Sequence, residues 1–134
     1  LGLEEAVELP GFVDDVPALL KRCHVLLSTS RDEAFGRTVV EAMASGLPVV
    51  STRFLGFPHE GGEFGYEGQH FISLDRKIGT WADTLCQLLS DPLRQSSIGL
   101  AARRWMESNQ TLDVITYQSA EFFHGLARSL RNSA

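Results

Sequence analysis

Short runs rich in β-branched residues, set between longer stretches of helical period, constrain this chain more than any other feature, because that alternation is the pattern of a parallel sheet covered by helices. Four strand candidates stand out: Ala6–Leu9, closed by Pro10-Gly11, then His24–Thr29, Pro48–Thr52 and His70–Leu74. Between the first two, Pro17 occupies a first-turn position where its missing N–H costs nothing, and a helix is expected to about Arg22. Thr38–Ser45 puts Val39, Met43 and small alanines on one side; Gly46 then stops the helix and Pro48 blocks its continuation. From Thr80 onward the period is helical almost without break. Trp81, Leu85, Leu88 and Leu89 form one stripe, Asp91-Pro92 closes that helix and opens the next to about Glu107 (Ile98, Ala102, Trp105, Met106), and a last helix is expected over Leu112–Leu130. Aromatic stripes of this kind read as core. The fold class is therefore α/β, with a parallel sheet of about four strands and flanking helices.

Composition narrows the function classes. At 134 residues the chain is sized for one domain with an ordinary core. Twelve Lys and Arg against 17 Asp and Glu give a net charge of −5, the wrong sign for a nucleic-acid backbone. Cys23 and Cys86 are too few and too far apart for a disulfide scaffold or a zinc site, which favours a reducing, cytoplasmic setting. No apolar run approaches the ~20 residues of a membrane span. The stretch Arg53–Gln69 holds five of the 12 glycines and no period, so it reads as a long loop leaving the carboxyl edge of the sheet, where open α/β folds bind ligands.

The segment that carries chemistry is Ser28-Thr-Ser-Arg-Asp-Glu33-Ala-Phe35-Gly36-Arg37-Thr38-Val-Val-Glu41-Ala-Met-Ala-Ser-Gly46-Leu-Pro48-Val-Val50. A strand enters a polar loop, a glycine sits at the turn and a helix begins behind it. Free amides of Gly36, Arg37 and Thr38, with the positive end of the helix dipole, make an anion site suited to phosphate. Two carboxylates, Glu33 and Glu41, flank it. Like charge keeps them off the phosphate, but they can accept hydrogen bonds from hydroxyls, and a separation on the order of 10 Å suits a pyrophosphate between two hydroxylated rings. The bland alternative is two glutamates on a solvated face.

In that register, Glu33-Ala-Phe-Gly-Arg-Thr-Val-Val-Glu41-Ala-Met-Ala-Ser-Gly-Leu-Pro-Val-Val resembles the Glu-x7-Glu signature of family-4 retaining glycosyltransferases, built from two Rossmann-like domains in the GT-B fold. The likeness runs over about residues 1–107, with Val7–Asp15 similar to a strand and nucleotide-facing loop and Ser90–Arg104 to the family's late helices. It implies that residues 1–134 are part of a C-terminal nucleotide-sugar-binding domain, short of its upstream strands and of an N-terminal acceptor-binding domain, and that the chain alone is inactive. It implies a catalytic, sugar-contacting role for Glu33, donor-sugar contacts at Phe35 and Gly36, phosphate contacts at Gly36, Arg37 and Thr38, ribose binding by Glu41, and base contact near Val13. On the plain alternative Phe35 is core, Thr38 an ordinary first-turn residue and Val13 a loop plug.

The function implied is transfer of a sugar from a nucleotide-sugar substrate, such as a UDP- or GDP-sugar, to an acceptor with retention and without a cofactor. No Asp-x-Asp metal motif is present, so leaving-group charge would fall to the helix dipole and to basic side chains such as Arg31, Arg37 and Arg53. The resemblance also implies peripheral membrane association through the other domain, since many relatives dock on anionic membranes by basic patches there. Departures follow Thr52: Leu55 stands where the family has a glycine and His59 where it has a carboxylate, so a non-catalytic or regulatory nucleotide-sugar-binding module is the alternative. An unrelated flavodoxin-like interaction domain is a more distant one. His59, His24 and His124 read as structural.

Overall fold

The computed structural model describes residues 2–30, 36–52, 65–75, 77–113 and 120. In chain order the elements are α1 (Val16–Leu20), β1 (Leu26–Ser28), α2 (Arg37–Ala44), β2 (Val49–Thr52), β3 (Ile72–Leu74), α3 (Ile78–Leu89) and α4 (Pro92–Asn109). The three strands form a parallel sheet in the order β1-β2-β3, with Leu26 opposite Val49 and Val50 opposite Ile72. This is the α/β architecture expected from the sequence.

Local chemistry sets the helix ends. The Asp15 carboxylate accepts the Ala18 amide at 2.9 Å to cap α1, and Asp91 accepts the Arg94 amide at 2.9 Å to cap α4. Each cap is followed by a proline in the first turn, where no amide donor is missed. α1 is shorter than expected, ending at Leu20, because Arg22 and Cys23 donate to Leu19 and Leu20 in tighter, three-residue steps. At the other end of α2 the chain stops as the sequence predicts. Gly46 takes φ 76°, its amide donates to Met43 at 3.0 Å, and the Leu47 amide reaches back to Ala42 at 2.9 Å, which is a Schellman stop.

Two expectations are corrected. Ala6–Leu9 is not a strand: Ala6 and Val7 donate to the Leu3 carbonyl in a turn, no strand among the described residues pairs with them, and Val7 and Leu9 stay 55% and 89% exposed. Four residues with neither a ladder partner nor a surface to bury cannot hold a strand. The sheet therefore has three strands among the described residues, not four. Leu89 also leaves the α3 stripe and is 49% exposed, because Leu88, fully buried against Val50 and Ile72, takes the inward position of the last turn and its neighbour, about 100° round the helix, turns outward. The expected helix over Leu112–Leu130 lies almost wholly outside the described residues, as do residues 53–64 of the glycine-rich loop.

The core has two parts, one on each face. Strand residues alternate between them, as a period of two requires. Leu26, Val49 and Phe71 join Leu20 of α1, Val39, Ala42 and Met43 of α2, and Ala102 and Met106 of α4. Val50 and Ile72 join Leu88 of α3 and Ile98 of α4, with Trp81 and Leu85 packed against them. α4 crosses the end of α2 backbone to backbone: a Cβ on Gly99 would sit 2.1 Å from the Gly46 carbonyl oxygen, so only glycine fits. That contact fixes the end of α2 against α4. No helix among the described residues is long and apolar enough to cross a membrane.

Candidate functional site

The site is built where β1 ends and α2 begins. Gly36 precedes the helix in the left-handed region (φ 65°, ψ 47°), a conformation that costs an ordinary L-residue about 1–2 kcal/mol. It is buried, and its carbonyl accepts the amides of Val39 at 2.8 Å and Val40 at 3.1 Å. The next two amides, those of Arg37 and Thr38, meet no acceptor among the described residues. They are the open donors of a helix start, and the helix dipole adds roughly half a positive charge there. Val39 and Met43, both buried, hold this helix against the sheet.

In front of these amides lies a cleft of about 330 Å³, walled by Leu26 to Ser30 on one side and by Gly36, Thr38 and Val39 on the other. Four of its lining residues, Ser28, Thr29, Ser30 and Thr38, carry hydroxyls. A volume of this size, with open N–H donors, hydroxyls and no carboxylate in its described wall, suits an oxyanion such as phosphate.

The residues singled out in the sequence fall in three groups. Gly36 and Thr38 line the cleft, and Arg37 stands beside them as the exposed first residue of α2. Glu41 sits one turn further along α2, half-buried and outside the cleft wall; its backbone carbonyl takes the Ser45 amide at 3.0 Å and the Ser45 hydroxyl at 2.8 Å. Val13 is half-buried in the irregular segment before α1 and is not part of the wall either. Glu33, Phe35 and Arg31 lie outside the described residues, as do Arg53, Leu55, His59 and His124. His24 is exposed ahead of β1.

Two features were missed in the sequence. The Thr52 hydroxyl donates to the Ser30 carbonyl at 2.6 Å, joining the end of β2 to the cleft wall. Only the strand register reveals that pairing, and no sequence signal gives the register. The other is His70, at the turn into β3. Its Nδ1 accepts the Tyr66 amide at 2.8 Å, and its ring lies 5.0 Å from Trp105 and 5.9 Å from Tyr66. Burial disfavours the imidazolium and lowers its pKa from the usual 6.5. Since Nδ1 is the acceptor, the neutral ring carries its proton on Nε2. Gly65 is required beside it, because a Cβ there would come within 2.6 Å of Nδ1.

Comparison with known proteins bears on the same region. The family model for glycosyl transferases group 1 matches residues 1–105. The N-acetyl-alpha-D-glucosaminyl L-malate synthase of Bacillus anthracis is 30% identical over 134 residues, covering 98% of this chain and 34% of that protein. The D-inositol 3-phosphate glycosyltransferase of Corynebacterium aurimucosum is 34% identical over 106 residues, covering 76% of this chain and 24% of that enzyme. Among solved structures, Anabaena HepE in complex with UDP and glucose matches with a TM-score of 0.74 at 30% identity, over 92% of this chain and 33% of its own. The chain thus spans about a third of the length of the relatives it matches at nearly full coverage.

Proposed function

The chain belongs to the glycosyl transferases group 1 family, and on that premise we propose that it is the donor-binding part of a retaining glycosyltransferase using a UDP-sugar. The observation that carries this reading is the cleft at the start of α2, where the helix dipole and a first turn whose Arg37 and Thr38 amides meet no acceptor among the described residues stand beside a wall of Ser28, Thr29 and Ser30. A diphosphate held there develops negative charge as the sugar leaves. Fixed donors already aimed at that charge stabilise it without reorganising, so the reaction needs no metal or cofactor from this chain. Gly36, Arg37 and Thr38 contact phosphate. Glu33 accepts hydrogen bonds from the sugar hydroxyls at the reacting end, with Phe35 and Gly36 beside it, and Glu41 holds the ribose. Val13 lies toward the base.

UDP rather than GDP is favoured because the solved relative HepE binds UDP at 30% identity. The acceptor belongs to an N-terminal domain packed against this one, and any membrane association would be supplied by that domain. A cytoplasmic location fits Cys23 and Cys86, both free and exposed, since such thiols persist in a reducing compartment. Leu55, where the family has a glycine, and His59, where it has a carboxylate, favour a module which binds nucleotide sugar without turning it over.

The test is calorimetric titration of the full-length protein with UDP, UDP-glucose and the GDP counterparts. Saturable binding of UDP and UDP-glucose is expected. No binding of any of them would remove the donor reading, and binding without transfer to any acceptor would leave the regulatory module.

A further inference from the structure

Resting on the donor reading above, we infer that Thr52 is a positioning residue for the phosphate cleft. β1 and β2 are joined by the backbone ladder only as far as Ser28, which lies opposite Ser51. Beyond that pair the strands part: Thr52 is in register with Leu74 of β3, and the chain leaving β1 goes on through Thr29 and Ser30 to form one wall of the cleft. That wall has no ladder bond of its own to β2. The Thr52 hydroxyl supplies the connection instead, donating to the Ser30 carbonyl at 2.6 Å, near the short end of the range for such bonds.

The bond is placed where water replaces it poorly. Thr52 is 4% exposed and Ser30 is half-buried. A donor lost from such a place leaves its acceptor carbonyl unsatisfied, and the segment moves to find another partner. The next residue back is tied down as well: the Ser51 hydroxyl, fully buried, donates to the Thr52 carbonyl at 2.9 Å. Thr52 is therefore held from its backbone while its side chain holds the neighbouring strand exit. The consequence is geometric. The wall of Thr29 and Ser30 stands across the cleft from Gly36 and Thr38 at the start of α2, and the width of that gap decides whether a phosphate meets both sides at once. Thr52 touches neither phosphate nor sugar; it sets the distance between groups that do.

Valine has nearly the shape of threonine without the hydroxyl, and serine keeps the hydroxyl without the methyl, so the pair separates the two contributions. In the full-length protein, Thr52→Val is expected to weaken UDP binding about five- to tenfold, the range of one buried hydrogen bond. It is also expected to speed amide hydrogen exchange in residues 26–30 of the unliganded protein. Thr52→Ser is expected to restore both toward wild type. Wild-type UDP affinity in Thr52→Val, with only the melting temperature lowered, would overturn the proposal, since the hydroxyl would then serve the fold alone. So would a serine variant no better than the valine one. If the wild-type protein binds no UDP, the donor reading itself fails and takes the positioning role with it, a result distinct from either of these.

Discussion

The two faces of the sheet are finished to different degrees. On one, α1, α2 and α4 close over Leu26, Val49 and Phe71, and Val39, Ala42 and Met43 are sealed to 1% exposure or less. On the other, α3 covers β2 and β3, with Trp81 pinned by its indole N–H to the Asp75 carbonyl at 2.7 Å, but β1 is left partly bare. Leu27 is 45% exposed there, over an apolar hollow of about 310 Å³ bounded by Thr29, Thr52, Ile78, Trp81 and Leu85. The same strand is thus core on one side and surface on the other. The open amides of the cleft belong to the sealed side: a helix start can present donors in a fixed direction only if the rest of the helix cannot move.

That contrast can be broken in four ways, in decreasing order of size. Met43→Ala should cost about 3 kcal/mol, because a sealed site leaves a cavity that cannot collapse, whereas Leu27→Ala on the open face should cost less than about 1 kcal/mol. Urea denaturation of both variants checks it, and equal losses would erase the distinction. Glu33→Gln should lower transfer by about a hundredfold in the full-length enzyme with an unchanged melting temperature, the scale of losing one well-placed polar contact to the transition state. Near-normal turnover would move the sugar contact elsewhere. Gly36→Ala should cost about 1–2 kcal/mol through backbone strain and weaken UDP binding as well, since the turn aims the amides. Loss of stability with full UDP affinity would show that the amides are aimed by something else.

The smallest effect concerns His70, which sits against Trp105 of α4. Its folded pKa lies below the usual 6.5, so the unfolded chain binds a proton that the folded one resists. Stability from this residue is present above about pH 6.5 and is lost as pH falls through the lower, folded value. His70→Asn offers an oxygen acceptor to the Tyr66 amide but does not titrate. Unfolding free energies at pH 7.5 and 5.5 should therefore differ less in the variant than in wild type. An unaltered pH dependence would place its origin in other groups.

What could be read in the sequence was what depends on neighbours in the chain. Gly46 and Pro48 announce the end of α2, and Asp91-Pro92 the start of α4, because cap chemistry is local. The glycine before α2 was legible for the same reason, and it brought Gly36, Arg37 and Thr38 to one place. Ala6–Leu9 was misread because a strand is defined by what lies beside it, and its composition is silent on that. Thr52 ends a run whose β-branched composition marks it as a strand, but nothing in that run singles Thr52 out. Its importance comes from β1 and β2 parting after Ser28, a property of two segments 22 residues apart. Glu33 and Phe35, the most specific letters of the motif, lie outside the described residues.

The backbone contact between Gly46 and Gly99 bears on more than packing. It clamps the far end of α2, so the helix acts as a strut of set length between that clamp and the cleft. Eight residues at about 1.5 Å each put its two ends about 12 Å apart. One residue inserted between Arg37 and Ala44 would push the open amides about 1.5 Å along the axis and swing them by about 100°. Residue count in this helix is therefore a coordinate of the binding site: its length sets where the amides of its first turn stand relative to the clamp.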